Sequence, residues 1–177
     1  MHTRSGVYVV PTHRWYIERT VWLIAGVILL IFSSLAVFRS LKWAYLIYPV
    51  AVASILVSLT GFCIIGNLLR LVGFTPMLGR DGPTSRTLYL MQTDSWYLER
   101  RIYLVVGINL IVATTLALAH SVWWLAFPAF VSVAMVVFAT TGFCVMANTL
   151  YWMGAEPRLA PRAAADPGCT LRDGQMA

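Results

Sequence analysis

The chain of 177 residues is 59% hydrophobic and only 11% charged, whereas a soluble globular domain has about 45–50% apolar and about 25% charged residues. This composition excludes an ordinary soluble domain and indicates an integral membrane protein. The formal net charge of +6 comes from basic residues spread over the segments that flank apolar runs. A nucleic-acid partner is therefore not expected, because it would need a dense basic patch.

Four apolar runs follow one another along the chain, at about 21–38, 43–71, 102–119 and 122–153. Each run reaches the ~17–25 residues that a membrane-spanning helix needs. The runs are continuously apolar and do not alternate as the strands of a barrel do. We therefore predict an all-α integral membrane protein with four transmembrane helices in contact with the lipid bilayer.

Basic residues are distributed unevenly between the two ends of these helices. Eleven of the thirteen Lys and Arg residues lie in the N-terminal segment, the central loop and the C-terminal tail, and the other two are Arg39 and Lys42. The positive-inside rule predicts a multi-pass protein of the inner (plasma) membrane with both termini cytoplasmic. The first run ends without a small-residue cleavage site, so an uncleaved helix is expected instead of a signal peptide.

An internal repeat organises the chain. Residues 15–78 align with residues 96–159 without a gap at a constant offset of 81, and 23 of the 64 positions are identical. Since each unit has two spans, both units enter the membrane in the same orientation. This predicts two parallel tandem helical hairpins related by a pseudo-twofold axis along the membrane normal, a pseudo-dimer in one chain. The remaining segments are a cytoplasmic arm (1–14), a cytoplasmic linker (79–95) and a disordered cytoplasmic tail (160–177).

Each repeat opens with a Trp-Tyr-x-Glu-Arg sequence, and the residues predicted to form a cytoplasmic interface are Glu18, Arg19, Glu99 and Arg100. The helix dipole favours a glutamate early in a helix. Upstream, Thr12 and Thr93 are candidate N-caps. The apolar run before each threonine, which includes Tyr8 or Tyr89, predicts a short strand or an interfacial segment.

The second helix of each repeat contains Thr-Gly-Phe-Cys followed by an asparagine. On a helix the Thr, Cys and Asn are at i, i+3 and i+7 and share one face. This predicts a polar stripe near the cytoplasmic end of each helix, formed by Thr60, Cys63, Asn67 and by Thr141, Cys144, Asn148. Small residues beside the stripe are candidate helix-packing positions, namely Gly61, Gly66 and Gly142.

Two interpretations of the stripe stay open. In the first, the asparagines hydrogen-bond across the bundle, the threonines bond back to the backbone, and the cysteines pack as small hydrophobes. In the second, the two thiols handle sulfur, a metal ion or a redox equivalent, although a buried thiol is inert unless a cation or a helix terminus lowers its pKa. Two thiols are too few for an ordinary metal site and the histidines lie elsewhere, so neither a metal nor a cofactor is predicted. Cys169 is expected to be an exposed reduced thiol of the tail.

The Glu-Arg and Gly-Phe-Cys sequences carry a resemblance to a known family. Glu18-Arg19 with Gly61-Phe62-Cys63, and Glu99-Arg100 with Gly142-Phe143-Cys144, make each half similar to the two-helix transmembrane domain family named after the inner-membrane protein YgaP. The resemblance covers 15–78 and 96–159 and implies a tandem duplication of a hairpin that pairs with a second copy. Some relatives also carry a rhodanese domain that holds persulfide sulfur. This chain has Ile64 or Val145 where the family often has proline, and no rhodanese sequence is recognised in it.

Sequence patterns of enzymes are not found in the chain. No helix carries a carboxylate near its centre, and no nucleophile and base pair, P-loop or dinucleotide motif is recognised. We therefore predict no enzymatic activity, and a non-catalytic accessory subunit or scaffold of unknown function that packs against a larger membrane complex or self-associates. The alternative is a small-molecule or ion conduit, or a sulfur relay, that uses the Cys and Asn stripes of the second and fourth helices.

Overall fold

A computed structural model describes residues 6–79, here called the first half, and residues 88–159, the second half. Within these residues the chain forms six α-helices: α1 (Ile17–Phe38), α2 (Ile47–Thr60), α3 (Ile64–Leu71), α4 (Leu98–Ala119), α5 (Ala126–Thr141) and α6 (Val145–Trp152). Short 3₁₀ helices, Leu41–Leu46 and Val122–Leu125, lead into α2 and α5. The predicted tail with Cys169, most of the predicted linker and the first residues of the arm lie outside the described residues.

Four helical segments are long and apolar enough to cross a membrane: Ile17–Phe38, Leu41–Thr60, Leu98–Ala119 and Val122–Thr141. Only 28% to 44% of the residues in their most apolar windows are buried inside the protein. Most of these side chains are therefore not fully covered by the protein itself, as expected of helices whose surroundings are lipid. The prediction of a helical protein with four apolar helices of spanning length is confirmed for the described part of the chain.

The first helix of each half begins four residues before the predicted boundary. Hydropathy does not reveal this extra turn because it contains the charged Glu-Arg sequence. Tyr16 and Tyr97 occupy the N-cap positions with extended backbone, and neither makes a side-chain cap bond. The expectation that Thr12 and Thr93 are N-caps is therefore wrong.

The second helix of each half is interrupted near its end. After α2 and after α5, Gly61 and Gly142 adopt φ of 76°, in the left-handed region that favours glycine. Two further residues separate each glycine from α3 or α6. The continuous helices predicted over 43–71 and 122–153 are therefore wrong, because hydropathy stays high across a turn that the backbone makes.

The principal helix pairs join the two halves of the chain. α1 packs mainly against α5 and α2 mainly against α4, whereas consecutive helices of one predicted hairpin touch sparsely. Glycine permits the close approach in both pairs: a Cβ at Gly26 would lie 3.0 Å from Met135 Cβ, and one at Gly107 would lie 2.6 Å from Ile55 Cγ1. The core consequently lies between the halves and not within each hairpin.

Candidate functional site

Two extended segments, 7–12 and 88–93, each cross the helix break of the opposite half. Val10 N donates to Gly142 O at 3.0 Å, and Met91 N donates to Gly61 O at 2.8 Å. Isolated antiparallel β-bridges join the same segments to the breaks. Backbone groups at a helix break lack partners within the helix, and at each break the opposite half supplies a hydrogen bond to them.

The repeated asparagines hold these extended segments in place. Asn67 Oδ1 accepts from Tyr89 N at 2.7 Å, and Asn67 Nδ2 donates to Tyr89 O at 3.0 Å. Asn148 binds Tyr8 in the same way, at 2.6 and 3.0 Å. Each amide also donates to the carbonyl oxygen of the cysteine four residues earlier, at 2.8 and 2.9 Å. The asparagines thus connect the two halves through main-chain groups.

The two glutamates bind a main-chain N–H of their own half and a tyrosine hydroxyl of the other. Glu18 accepts from Leu78 N at 2.6 Å and from the Tyr89 hydroxyl at 3.0 Å. Glu99 accepts from a main-chain N–H at 2.9 Å and from the Tyr8 hydroxyl at 2.8 Å. The side chains are 1% and 0% exposed, and these charge-assisted bonds replace the water that each carboxylate has lost.

The tyrosines of this arrangement remain protonated donors. Burial first, and then the neighbouring carboxylate, raises the pKa of Tyr8 and of Tyr89 well above the ordinary value. Sequence analysis aligned Tyr8 with Tyr89 but did not select either as a site residue. The sequence signal for these tyrosines was their recurrence at the offset of 81, but helical periodicity assigns no role to residues outside the helices.

Arg19 and Arg100 bind the ends of helices that belong to the other half. Arg100 Nε donates to Ser58 O at 2.6 Å and Nη2 donates to Leu59 O at 3.5 Å, near the end of α2. Arg19 makes the equivalent bonds to carbonyl oxygens near the end of α5, at 2.5 and 3.3 Å. The last carbonyls of a helix lack partners within the helix, and a cation there is favourable.

The residues of the predicted cytoplasmic interface are buried inside the protein. The side chains of Glu18, Arg19, Glu99 and Arg100 are 0% to 7% exposed, with all four classed among the buried residues. Each guanidinium also lies 4.0 Å from the ring centroid of the tryptophan four residues earlier, a cation–π contact. These four charged side chains therefore lie inside the protein, where they form hydrogen bonds that join its two halves.

The predicted polar stripe does not form a single helical face. The hydroxyls of Thr60 and Thr141 donate to the carbonyl oxygens four residues earlier at 2.7 Å and accept from the N–H two residues later at 3.2 Å. Cys63 and Cys144 have extended backbone and precede α3 and α6. The helix break removes the i, i+3, i+7 relation, so these residues line a turn instead of a stripe.

The two cysteines have different environments. Cys63 is 7% exposed, and its Sγ accepts from Gly66 N at 3.3 Å at the start of α3. Cys144 is half-buried and makes no such cap bond. Burial raises the pKa of the Cys63 thiol, which favours the unreactive protonated form. Residues 6–79 and 88–159 contain no group of three or more side chains suited to hold a metal ion.

The predicted helix-packing glycines admit the extended segments instead of another helix. A Cβ at Gly61 would clash with Met91 O, and one at Gly142 would clash with Val10 O. A Cβ at Gly66 would lie 2.7 Å from the ring of the tyrosine in the second extended segment. The glycines that do lie between packed helices are Gly26 in α1 and Gly107 in α4, described above, which occupy equivalent positions at the offset of 81.

An exposed ion pair fastens the end of the second half. Arg158 Nη2 lies 2.8 Å from Asp94 Oδ2, and the same guanidinium binds Gln92 Oε1. The hydrogen bond from Arg158 is the main cause that lowers the pKa of Asp94. The aligned positions of the first half hold Met77 and His13, so the first half has no counterpart of this ion pair.

The polar groups at the two breaks therefore share one arrangement of glutamate, arginine and asparagine, in which the glutamates and arginines are buried. Comparison with family models, with curated proteins and with solved structures finds no match to this chain. The chemistry of the arrangement follows from its own geometry. Its carboxylates, guanidinium groups and amides are occupied by internal hydrogen bonds, and they tie the two halves together.

Proposed function

We propose that this chain is a non-catalytic integral membrane subunit or scaffold that packs against a larger membrane complex. The observation that carries the proposal is the internal use of the polar groups that both halves share. A general acid or base must reach its substrate. Glu18 and Glu99 are buried and already accept hydrogen bonds from both halves, so a structural role is favoured.

The outer face of the short helices supports docking. On α3, Ile64, Leu68 and Leu71 are 73%, 62% and 85% exposed, and their i, i+4, i+7 spacing places them on one face. At the matching positions of α6, Val145 and Trp152 are 71% and 47% exposed. A helix with an unburied apolar face suits insertion into a groove of a partner. The two faces therefore provide the candidate docking surface.

Matching contacts support a pseudo-dimer with an axis along the membrane normal. Asn67 binds Tyr89 as Asn148 binds Tyr8, and the pair α1–α5 corresponds to the pair α4–α2. The resemblance of each half to the YgaP-named family accords with this arrangement. The excess of basic residues at the end that carries the termini supports an inner-membrane protein with both termini cytoplasmic.

The proposal is tested by photo-crosslinking in native membranes. A photoreactive residue replaces Leu68 on the α3 face, and a matched one replaces Val52, which is 46% exposed on the transmembrane helix α2. We expect Leu68 to give an adduct with one larger protein in fixed proportion, and Val52 to give mainly lipid adducts. A homodimeric adduct, or lipid adducts alone at both positions, would contradict the subunit proposal.

The second candidate function, a conduit or sulfur relay, has one supporting observation. Cys63 lines a cavity of about 310 Å³ together with Phe62 and Ile64, so a small apolar or sulfur species in that cavity would meet the thiol. The test is the double variant Cys63→Ser and Cys144→Ser in proteoliposomes. Unchanged flux of the ion or small sulfur species across the proteoliposome membrane, together with unchanged sulfur tolerance of cells, would eliminate this candidate.

A further inference from the structure

An apolar groove lies between α1 and α2, within segments of membrane-spanning length. Its volume is about 310 Å³, and its wall includes Ala25 from α1, Pro49, Ala53 and Ser54 from α2, and Cys63 from the break. It is called the α1–α2 groove below. The groove exists because α1 and α2 pack on different helices of the second half and touch each other sparsely.

The repeat alignment explains why the first half has room for this groove. The positions that align with Ala25, Pro49 and Ser54 are held in the second half by Val106, Phe130 and Met135, which are larger. Pro49 and Ala53 are exposed at the rim, so the groove opens to the surroundings of the helices. Space left by small residues in a membrane protein must be filled from the bilayer, because an empty wall forfeits its dispersion contacts.

The Ser54 hydroxyl and the Cys63 thiol, which line the groove, already have hydrogen-bond partners. The Ser54 hydroxyl donates to Val50 O at 2.9 Å, and the Cys63 thiol accepts from Gly66 N at 3.3 Å. A ligand that needs hydrogen bonds would find few here. The wall runs along α2 from Pro49 to Val57, about 12 Å at the rise of an α-helix. A long, thin and apolar occupant fits this shape.

The helix α3, which begins at the groove, carries a basic residue in its last turn. Ile64 and Ile65, at the start of α3, line the groove, and the last turn of the same helix carries Arg70. No carboxylate of residues 6–79 or 88–159 forms an ion pair with Arg70. A guanidinium suits a phosphate because it presents several N–H donors in a planar fork.

We propose that the α1–α2 groove binds one acyl chain of an anionic phospholipid whose phosphate lies against Arg70. Packing of the chain against the groove wall selects the position, since burial from water gives no advantage to a lipid tail already in the bilayer. The contact with Arg70 selects an anionic headgroup over a zwitterionic one. The site does not rest on the proposed subunit function, because its wall is formed mainly by α1 and α2, although Ile64 contributes both to the wall and to the outer face of α3.

The main test is native mass spectrometry of protein released from nanodiscs that contain equal amounts of phosphatidylglycerol and phosphatidylcholine. In the variant Ala25→Val/Ser54→Met, the groove receives the residues that the second half carries. We expect the wild-type chain to retain one phosphatidylglycerol and this variant to lose at least about tenfold in retention, equivalent to about 1.4 kcal/mol. The control Val52→Met enlarges an outward residue of α2 that does not line the groove, and it should retain lipid as the wild type does.

Two outcomes of that experiment would overturn the proposal. Equal retention by the groove-filled variant and the control would show that lipid does not lie in the groove. If the Arg70→Gln variant retained lipid and still preferred phosphatidylglycerol over phosphatidylcholine, Arg70 would not select the headgroup.

A second measurement uses the wild-type chain and does not depend on the folding of a variant. A phosphatidylglycerol with a photoreactive group midway along one acyl chain is activated in vesicles, and the labelled peptides are mapped. We expect labelling of 49–57 to exceed labelling of the aligned segment 130–138. Equal labelling of the two segments would contradict the proposal.

Discussion

The side-chain amide of Asn67 binds both main-chain groups of Tyr89, accepting from N at 2.7 Å and donating to O at 3.0 Å. The side-chain amide thus pairs with the main chain of Tyr89 as a neighbouring β-strand would, although Asn67 belongs to the helix α3. Because Tyr89 belongs to the second half, this contact is one of those that hold the two halves of the chain together. The amide of Asn148 binds Tyr8 of the first half in the same manner.

Substitution of this asparagine tests its role in stability. Asn67→Ala leaves the N–H and carbonyl of Tyr89 without their partner, and we expect a loss of about 2–4 kcal/mol in the free energy of unfolding. The measurement is reversible unfolding in mixed micelles. The control is Asn109→Ala, since the exposed Asn109 donates only to a carbonyl of its own helix at 2.8 Å. Equal losses in the two variants would contradict a specific role for Asn67.

Glu18 allows its charge to be separated from its hydrogen bonds. Oε1 of Glu18 accepts from Leu78 N and from the Tyr89 hydroxyl, so Glu18→Gln retains an acceptor whereas Glu18→Leu retains none. We expect Glu18→Leu to cost more than Glu18→Gln, by about 2 kcal/mol, because buried donors are then left unpaired. Tyr89→Phe removes a single donor and should cost about 1 kcal/mol. The role assigned to the carboxylate would be wrong if the Gln and Leu variants unfolded at the same denaturant concentration.

Arg100 and its neighbour Arg101 form a matched pair for testing helix capping. Arg100 binds carbonyl oxygens near the end of α2 and in the preceding loop, and it is 7% exposed. Exposed Arg101 donates to a carbonyl of its own chain segment at 2.9 Å. We expect Arg100→Lys to destabilise the protein by about 1.5–3 kcal/mol, since an ammonium cannot reach all of these acceptors. Arg101→Lys should change stability by less than about 0.5 kcal/mol, and a similar effect of both changes would rule out the capping role.

Comparison of alanine substitutions at Gly61 and Gly73 distinguishes backbone strain from a steric clash. Both have positive φ, 76° and 104°, but a Cβ would clash with Met91 O only at Gly61 and would meet nothing within 4 Å at Gly73. Gly73→Ala should therefore lower the free energy of unfolding by about 1–3 kcal/mol, through backbone strain alone. Gly61→Ala should be more destabilising and should also release the second extended segment, seen as faster amide hydrogen exchange at Met91. Unchanged exchange at Met91 would show that the break and the segment are not coupled.

The ion pair between Asp94 and Arg158 predicts a pH dependence at acid pH. The hydrogen bond from Arg158 lowers the pKa of Asp94 in the folded protein, so the unfolded chain binds a proton more readily. The contribution is therefore complete above the ordinary aspartate pKa of about 3.9, and it is lost as the pH falls through the lowered folded value. The stability difference between the wild-type chain and Asp94→Asn should narrow over this acid range. A difference that stays constant from pH 7 to the acid limit would contradict this linkage.

Much of the fold was predictable from the sequence because the controlling property is local. Four apolar runs of spanning length can be recognised without any tertiary contact, since the cost of placing polar residues in lipid is paid residue by residue. The constant offset of 81 also selected the Glu, Arg and Asn positions before any contact was known. The roles of these residues were less accessible, because an arginine in the first turn of an apolar helix has the same local pattern whether it faces water or caps another helix.

The sequence by itself determined the four apolar helices and the duplicated set of polar positions, through hydropathy and self-comparison. Only the tertiary structure decided that α1 packs on α5 and α2 on α4, that each Thr-Gly-Phe-Cys sequence breaks its helix, and that the glutamates and arginines are buried. The reason is the separation along the chain of the groups that meet. Tyr8 and Asn148 are 140 residues apart, and neither helical periodicity nor hydropathy contains information on contacts at that distance.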